Sequence, residues 1–284
     1  MDIRPLNEHR CELGESPLWH PIEQALYSVD IARREVLRWH ASGVERWAQD
    51  SEPSCLALRA QGGLLLARRD GLFAFDAGRL QQLAEPPYDP SKQRFNDGKV
   101  GPDGAWYVGT IDDARAPEAA LYRCGPAGIT RLQQGITTSN GLAWSPNGGS
   151  MYWADTKAHT VYRLAANGEG PREVFAQWQQ RDPAQPLDAY AGRPDGAAVD
   201  AEGCYWVAMY EGARLLRLSP YGDLLLTVML PARCPTMPCF GGADLRTLYI
   251  TTAAEAAATA LPAAGALLSL RVDVPGLPPA FASW

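Results

Sequence analysis

Four oxygen-bearing side chains pose the chemical question in this 284-residue sequence: Glu15, Asn96, Asn140 and Asp195. Each opens a short strand-like run and sits beside Ser, Asp or Gly, in GESPLW, FNDGK, SNGLAW and PDGAAV. Two carboxylates and two amides gathered at one point repel, or stay unsatisfied, unless a cation stands between them. An oxygen-only set suits a hard or borderline divalent ion: Ca2+, Mg2+, Mn2+, Zn2+ or Fe2+. Any one Asn-Gly or Asp-Gly alone is an ordinary turn dipeptide. The question is therefore whether the fold makes the four positions recur and converge.

Recurrence is present. The stretch around Asn140, TTSNGLAWSPNGGSMYWADT, has relatives at RFNDGKVGPDGAWYVGT, RPDGAAVDAEGCYWVAMY, MPCFGGADLRTLYITT, GESPLWHPIEQALYSVD and, more weakly, SCLALRAQGGLLLARRD. Each holds a short strand, a turn carrying Gly, Asp, Asn or Pro, and a second apolar strand. A third strand-like run follows: EVLRW, GLFAF, LYRC, TVYRL, RLLRL and GALLSL. Anchors at Glu15, Ser54, Asn96, Asn140, Asp195 and Cys239 step by 39, 42, 44, 55 and 44 residues. That is the period of a four-stranded propeller blade. The spacing predicts an all-β, six-bladed β-propeller over residues 1–284 as one domain, with little helix. The long step contains QWQQRDPAQPLDAYAGRP, a surface insertion. The run before Glu15 supplies the last blade's outer strand, which closes the ring and removes exposed edges. The first strand of every blade lines the channel, so the anchors meet at one mouth. The ends of the second strands return there with Asp30, Asp112, Asp155, Tyr210 and Glu211; in WADT, Asp155 is better suited to capping a turn.

Composition narrows the partners. A net charge of −6 with no Lys/Arg block speaks against nucleic acid and anionic membranes. The N-terminal run shows no apolar signal core and no apolar run spans a bilayer, which predicts a cytoplasmic protein. The cysteines at 11, 55, 124, 204, 234 and 239 form no Cys-x-x-Cys pair and are expected as buried thiols, with Cys234 and Cys239 close enough for a redox check. No Gly-x-Ser-x-Gly elbow, His-Glu-x-x-His or phosphate-binding Gly loop occurs. His20 is expected on a strand against a neighbouring blade and His159 exposed. The nine tryptophans are expected as inter-blade core.

GESPLWH, RFNDGK, SNGLAWS, RPDG and the later PCFGG-x-D-x-x-TLY-x-TTA together resemble the gluconolactonase family, also called the regucalcin or senescence-marker-protein family. The resemblance runs from about residue 11 to about 275. It implies a six-bladed propeller with one divalent metal, and its enzymes hydrolyse aldonolactones. Carried over, the family's metal ligands fall on Glu15, Asn140 and Asp195. Its substrate-contacting residues fall on Arg94 and Asn96, and a family Glu from a loop of variable length falls on Glu118, in RAPEAALYR.

Lactone hydrolysis needs a nucleophilic water and a stabilised oxyanion, and a divalent ion serves both. Asp195 has one oxygen for the metal and one for the water's proton, which makes it the candidate general base. Glu15 balances charge and Asn140 is a neutral ligand. Arg94 suits sugar hydroxyls or the ring oxygen, and Asn96 both gives and takes hydrogen bonds. The alternatives are a non-catalytic calcium- or metal-binding propeller and a metal-dependent hydrolase of other esters or organophosphates. A pure metal binder has no need of Arg94 and Asn96.

Overall fold

Every blade's innermost strand breaks its pairing at the same place. The computed structural model describes residues 2–255 and 260–284. In it the inner strands Gly14–His20, Pro53–Arg59, Gln93–Val100, Ser139–Trp144, Arg193–Val199 and Pro235–Gly241 each shift register one to three residues in. A bulge adds unpaired residues, increases the local twist and re-aims side chains. The first halves of these strands therefore part from the regular alternation that governs the rest.

Beyond the bulge the alternation is ordinary, and it builds the core. Each inner strand pairs antiparallel with a second strand, and two more follow outward, giving six antiparallel sheets arranged in a ring: a six-bladed β-propeller. The second strands, such as Trp106–Asp112 and Ser150–Asp155, are almost wholly buried. Both their faces meet neighbouring blades, which explains near-continuous apolar runs such as LLLAR and YWVAM. The outer strands are largely exposed, some polar as in Arg79–Ala84 and some apolar as in Leu224–Met229. Core clusters lie between adjacent blades; Tyr152 and Phe175 of blade 4 pack with Tyr205 and Val207 of blade 5. Trp19, Trp39, Trp106, Trp144, Trp153 and Trp206 are buried there, as expected.

Closure follows the expected scheme. Arg4–Pro5 pairs with Leu268–Arg271, so the sixth sheet takes its outer strand from the N-terminal run. One addition was not foreseen: Phe281–Ala282 joins parallel to the inner strand of blade 2. Among the described residues the only helical element is a single 3-10 turn at Leu187–Ala189, in the insertion. No helix among them is long and apolar enough to cross a membrane.

Below the bulges the channel widens into a cavity of about 480 Å³, walled by residues such as Leu56, Ala143, Val199 and Met237. Leu277–Ala280 also line it.

Candidate functional site

The bulges bring extra backbone amides and carbonyls to the ringed mouth, and neighbouring blades satisfy them. The Leu56 amide donates to Ser16 Oγ at 2.9 Å, tying blade 2 to blade 1. Thr236 Oγ1 donates to the Gly14 carbonyl at 2.6 Å, tying blade 6 to blade 1. Asn96 Nδ2 donates to the Ser139 carbonyl at 2.9 Å, tying blade 3 to blade 4. Tyr205 Oη donates to the Gly141 carbonyl at 2.8 Å, tying blade 5 to blade 4. Lys99 Nζ reaches the Ala197 carbonyl at 2.6 Å, from blade 3 to blade 5. Buried backbone groups that lose their ladder partner need such replacements.

On this frame sit the side chains singled out in the sequence. Glu15 is the last paired residue before the bulge of blade 1, Asn140 holds the same place in blade 4, and Asp195 is the first bulged residue of blade 5. Asn140 and Asp195 are buried, Glu15 half-buried. Burial pushes the Glu15 carboxyl well above the usual carboxylate range, and the nearby charges of Asp195 and Asp97 push it further. Asp195 is pushed up to about 8, first by burial and then by Asp97, against the pull of Arg193. Glu15, Asp97 and Asp195 are thus close enough to feel one another in a poorly hydrated place. Buried carboxylates in that position either hold protons or meet a cation.

Arg94 and Asn96 flank the same ring. Arg94 Nη1 donates to Asn96 Oδ1 and to the Phe95 carbonyl, both at 2.9 Å. Asn96 Nδ2 also donates to Asn140 Oδ1 at 2.9 Å, and Asn140 Nδ2 donates to Thr156 Oγ1 at 2.8 Å. The result is a chain of oriented polar groups: Arg94, Asn96, Asn140, Thr156. Among the described residues no carboxylate lies within ion-pair distance of Arg94, and burial lowers its affinity for its proton. Glu118 is different. It is exposed, and its contact with this region is through its carbonyl, which accepts from Gln93 Nε2 at 3.1 Å.

Several expectations shift. The sixth anchor is not Cys239: the register break lies between Pro235 and Met237, so Thr236 takes that position, and Cys239 lines the cavity below. The ends of the second strands do not face the ring as free acids. Asp30 accepts the amides of Glu12, Leu13 and Arg33. Asp112 accepts the Ala116 amide, and Asp155 accepts the Lys157 amide and the Thr137 hydroxyl. These are turn caps. Glu211 pairs with Arg193 at 2.6 Å, and that guanidinium stacks over Tyr210. His20 is buried, and its Nδ1 accepts the Glu23 amide at 3.1 Å. His159 is buried rather than exposed, because Tyr190 of the insertion folds down onto its Nε2. The six cysteines are free thiols, five of them buried.

One site residue escaped the sequence reading. Asp97 is buried beside Asn96 in the bulge of blade 3, and its Oδ1 has no partner. Strict strand alternation would have pointed it away from the channel; the bulge turns both residues inward. Ser54 Oγ, at the bulge of blade 2, is likewise buried and unpartnered. Orphaned oxygens and mutually repelling carboxylates on one ring fit an oxygen-preferring divalent ion.

The model of the SMP-30/gluconolactonase/LRE-like region matches residues 13–254. The chain belongs to that family. It is 41% identical over 277 residues to a 6-deoxy-6-sulfogluconolactonase of Pseudomonas putida, covering 93% of this chain and 92% of that one. It is 31% identical to regucalcin of Gallus gallus, covering 98% and 97%. Among solved structures, a calcium-binding regucalcin of Agrobacterium tumefaciens superposes with a TM-score of 0.89 at 29% identity, over 99% of this chain and 97% of that one. A gluconolactonase of Xanthomonas campestris shares the fold with a TM-score of 0.73 at 23% identity, over 96% and 89%.

Proposed function

We propose that this family member is a lactonase that hydrolyses a sugar-acid lactone to the free acid with one divalent ion held by Glu15, Asn140 and Asp195. The observation that carries the reading is the hydrogen-bonded chain from Arg94 through Asn96 to Asn140, with Glu15 and Asp195 placed at the equivalent register breaks of blades 1 and 5. The lactonase name of the Pseudomonas putida relative supports the reaction class, and the calcium-binding regucalcin structure supports the ion. When bound, a divalent ion supplies Lewis acidity and lowers the pKa of water.

The chain's own residues do the rest. Glu15 and Asp195 supply the negative charge that makes a dication welcome, and Asn140 adds a neutral oxygen. Asp195 keeps one carboxylate oxygen for the proton of the attacking water. Arg94 faces the mouth without a carboxylate partner, so its guanidinium is free to donate to the lactone oxygens and to hold the charge that develops there. Asn96 carries the orientation of Arg94 to Asn140, coupling substrate contact to the ligand set. Burial keeps the water population of the site small.

The regucalcin likeness favours a second reading, a metal-binding propeller without hydrolysis. A free guanidinium hydrogen-bonded to Asn96 on the same ring is of no use to a pure metal binder. The deciding experiment strips the protein, reloads it with Ca2+, Mn2+, Zn2+, Mg2+ or Fe2+, and follows acid release from a lactone panel. The panel includes glucono-, galactono- and arabinonolactone and a 6-sulfo derivative. Acid release above the spontaneous rate supports the lactonase; metal binding with no turnover on any of them leaves the binder. A cytoplasmic location accords with six unpaired thiols.

A further inference from the structure

Asn140 does not hold itself in place. It is followed at once by the bulge Gly141–Leu142, and Gly141 stands at φ +63°, a left-handed conformation that glycine adopts freely. A bulge with a glycine in that conformation is pliant, so something must fix it if the preceding side chain is to keep its aim. Two side chains from flanking blades do so from opposite sides. Asp97 of blade 3, 7% exposed, takes the Leu142 amide on its Oδ2 at 2.9 Å. Tyr205 of blade 5 gives its hydroxyl proton to the Gly141 carbonyl at 2.8 Å. The fit is tight: a Cβ on Gly141 would lie 2.4 Å from Tyr205 Oη and 3.1 Å from the Asp195 carbonyl. The clamped bulge thus follows Asn140 directly and lies close against the Asp195 carbonyl.

We infer that Asp97 is a positioning residue for the metal centre: it fixes the Gly141–Leu142 bulge with one oxygen and so aims Asn140, while its carboxylate adds negative charge to the neighbourhood of the proposed ligands. The inference rests on the metal-binding reading above. A merely structural Asp97 would stabilise the bulge and leave ion affinity alone. A positioning Asp97 sets ion affinity, because both the direction of Asn140 and the charge around the ion depend on it. Groups behind the ligands commonly matter this much; their loss costs about 10- to 100-fold in metal affinity.

The test is calorimetric titration of metal-stripped protein with Ca2+, Mn2+ and Zn2+ at 25 °C, beside thermal melting of the metal-free forms. Asp97→Asn keeps shape and removes the charge. Tyr205→Phe keeps charge and removes the other half of the clamp. The expected result is a Kd raised about 10- to 100-fold in Asp97→Asn and raised by a smaller factor in Tyr205→Phe, in preparations whose metal-free melting shows them folded. Asp97→Asn binding each ion as tightly as wild type overturns the inference, whatever its melting point. If Asp97→Asn does not fold, Tyr205→Phe decides: wild-type affinity there refutes the clamp. Wild-type protein that binds none of the three ions removes the metal reading itself, and this inference with it. Wild-type binding with unmoved variants removes the inference alone.

Discussion

Asn96 Nδ2 donates to Asn140 Oδ1 across the seam between blades 3 and 4. The bond fixes which atom of the Asn140 amide is the oxygen, because Asn96 is itself oriented by the Arg94 guanidinium on its Oδ1 and the Ser139 carbonyl on its Nδ2. A carbonyl oxygen that accepts one hydrogen bond retains a second lone pair for a cation. On the proposed reading Asn96 has two tasks, one toward substrate through Arg94 and one toward the ligand Asn140.

This separates two neighbours that the sequence treats alike. Arg94→Ala is expected to leave metal content intact and to lower kcat/KM for the lactone by about 10- to 100-fold, the loss of a charge-assisted contact of roughly 1.5–3 kcal/mol. Asn96→Ala is expected to lower kcat/KM and also to weaken metal affinity by about tenfold, because it strips Asn140 of its orienting bond. Metal content by elemental analysis beside lactone kinetics checks both. Equal metal affinity in the two variants would remove the second task of Asn96.

Asp195→Asn keeps an oxygen on the ring and removes the proposed base. Its kcat is expected to fall by roughly 10²–10⁴-fold beyond any loss of metal occupancy. Wild-type turnover at full metal loading would dismiss Asp195 as the base.

The pH dependence of the metal-free protein runs opposite to that of most salt-bridged carboxylates. Glu15 and Asp195 have folded-state pKa values raised above their unfolded values, Asp195 from 3.8 to about 8. A raised carboxyl favours the folded state while both states are protonated, and that contribution is lost as pH climbs toward the folded pKa. Metal-free protein should therefore lose stability between about pH 4 and pH 8 on account of this pair. Asp195→Asn should flatten the trend, and saturating divalent ion should abolish it. Melting curves at several pH values, with and without chelator, measure this; a metal-free melting point rising across that window by as much in wild type as in Asp195→Asn contradicts it.

Gly141→Ala places a Cβ against Tyr205 Oη at a left-handed position. The conformation alone costs roughly 1–2 kcal/mol, before the clash is relieved. A lower melting temperature with weakened ion binding is expected. Unchanged melting would mean that the bulge is freer than its hydrogen bonds imply.

The blades were legible because a strand-turn-strand pattern with Gly, Asn, Asp or Pro at the turn survives in the sequence, and its period matches one sheet. Glu15, Asn96, Asn140 and Asp195 were singled out through that recurrence, and each lies at or beside the register break of its blade. The departures have local causes. Asp97 escaped notice because alternation assigns neighbouring residues to opposite faces, and a bulge breaks that rule. In blade 6 the Gly-Gly pair drew the anchor to Cys239, whereas the register breaks three residues earlier at Thr236. His159 gave no sign of burial because Tyr190, which covers it, lies in an insertion that no other blade has. Glu118 sits on a loop whose length no repeat constrains, and its side chain is left in solvent.

The sixth sheet joins Arg4–Pro5 to Leu268–Arg271, and it fills the gap between blade 5, which carries Asp195, and blade 1, which carries Glu15. Without blade 6 the other five blades form an open arc, with the two acids on its end blades. The ring closes only when blade 6, including its N-terminal outer strand, stands between blades 5 and 1. An ion held by both acids, as proposed, would bind only the finished ring and so favour closed chains over open ones.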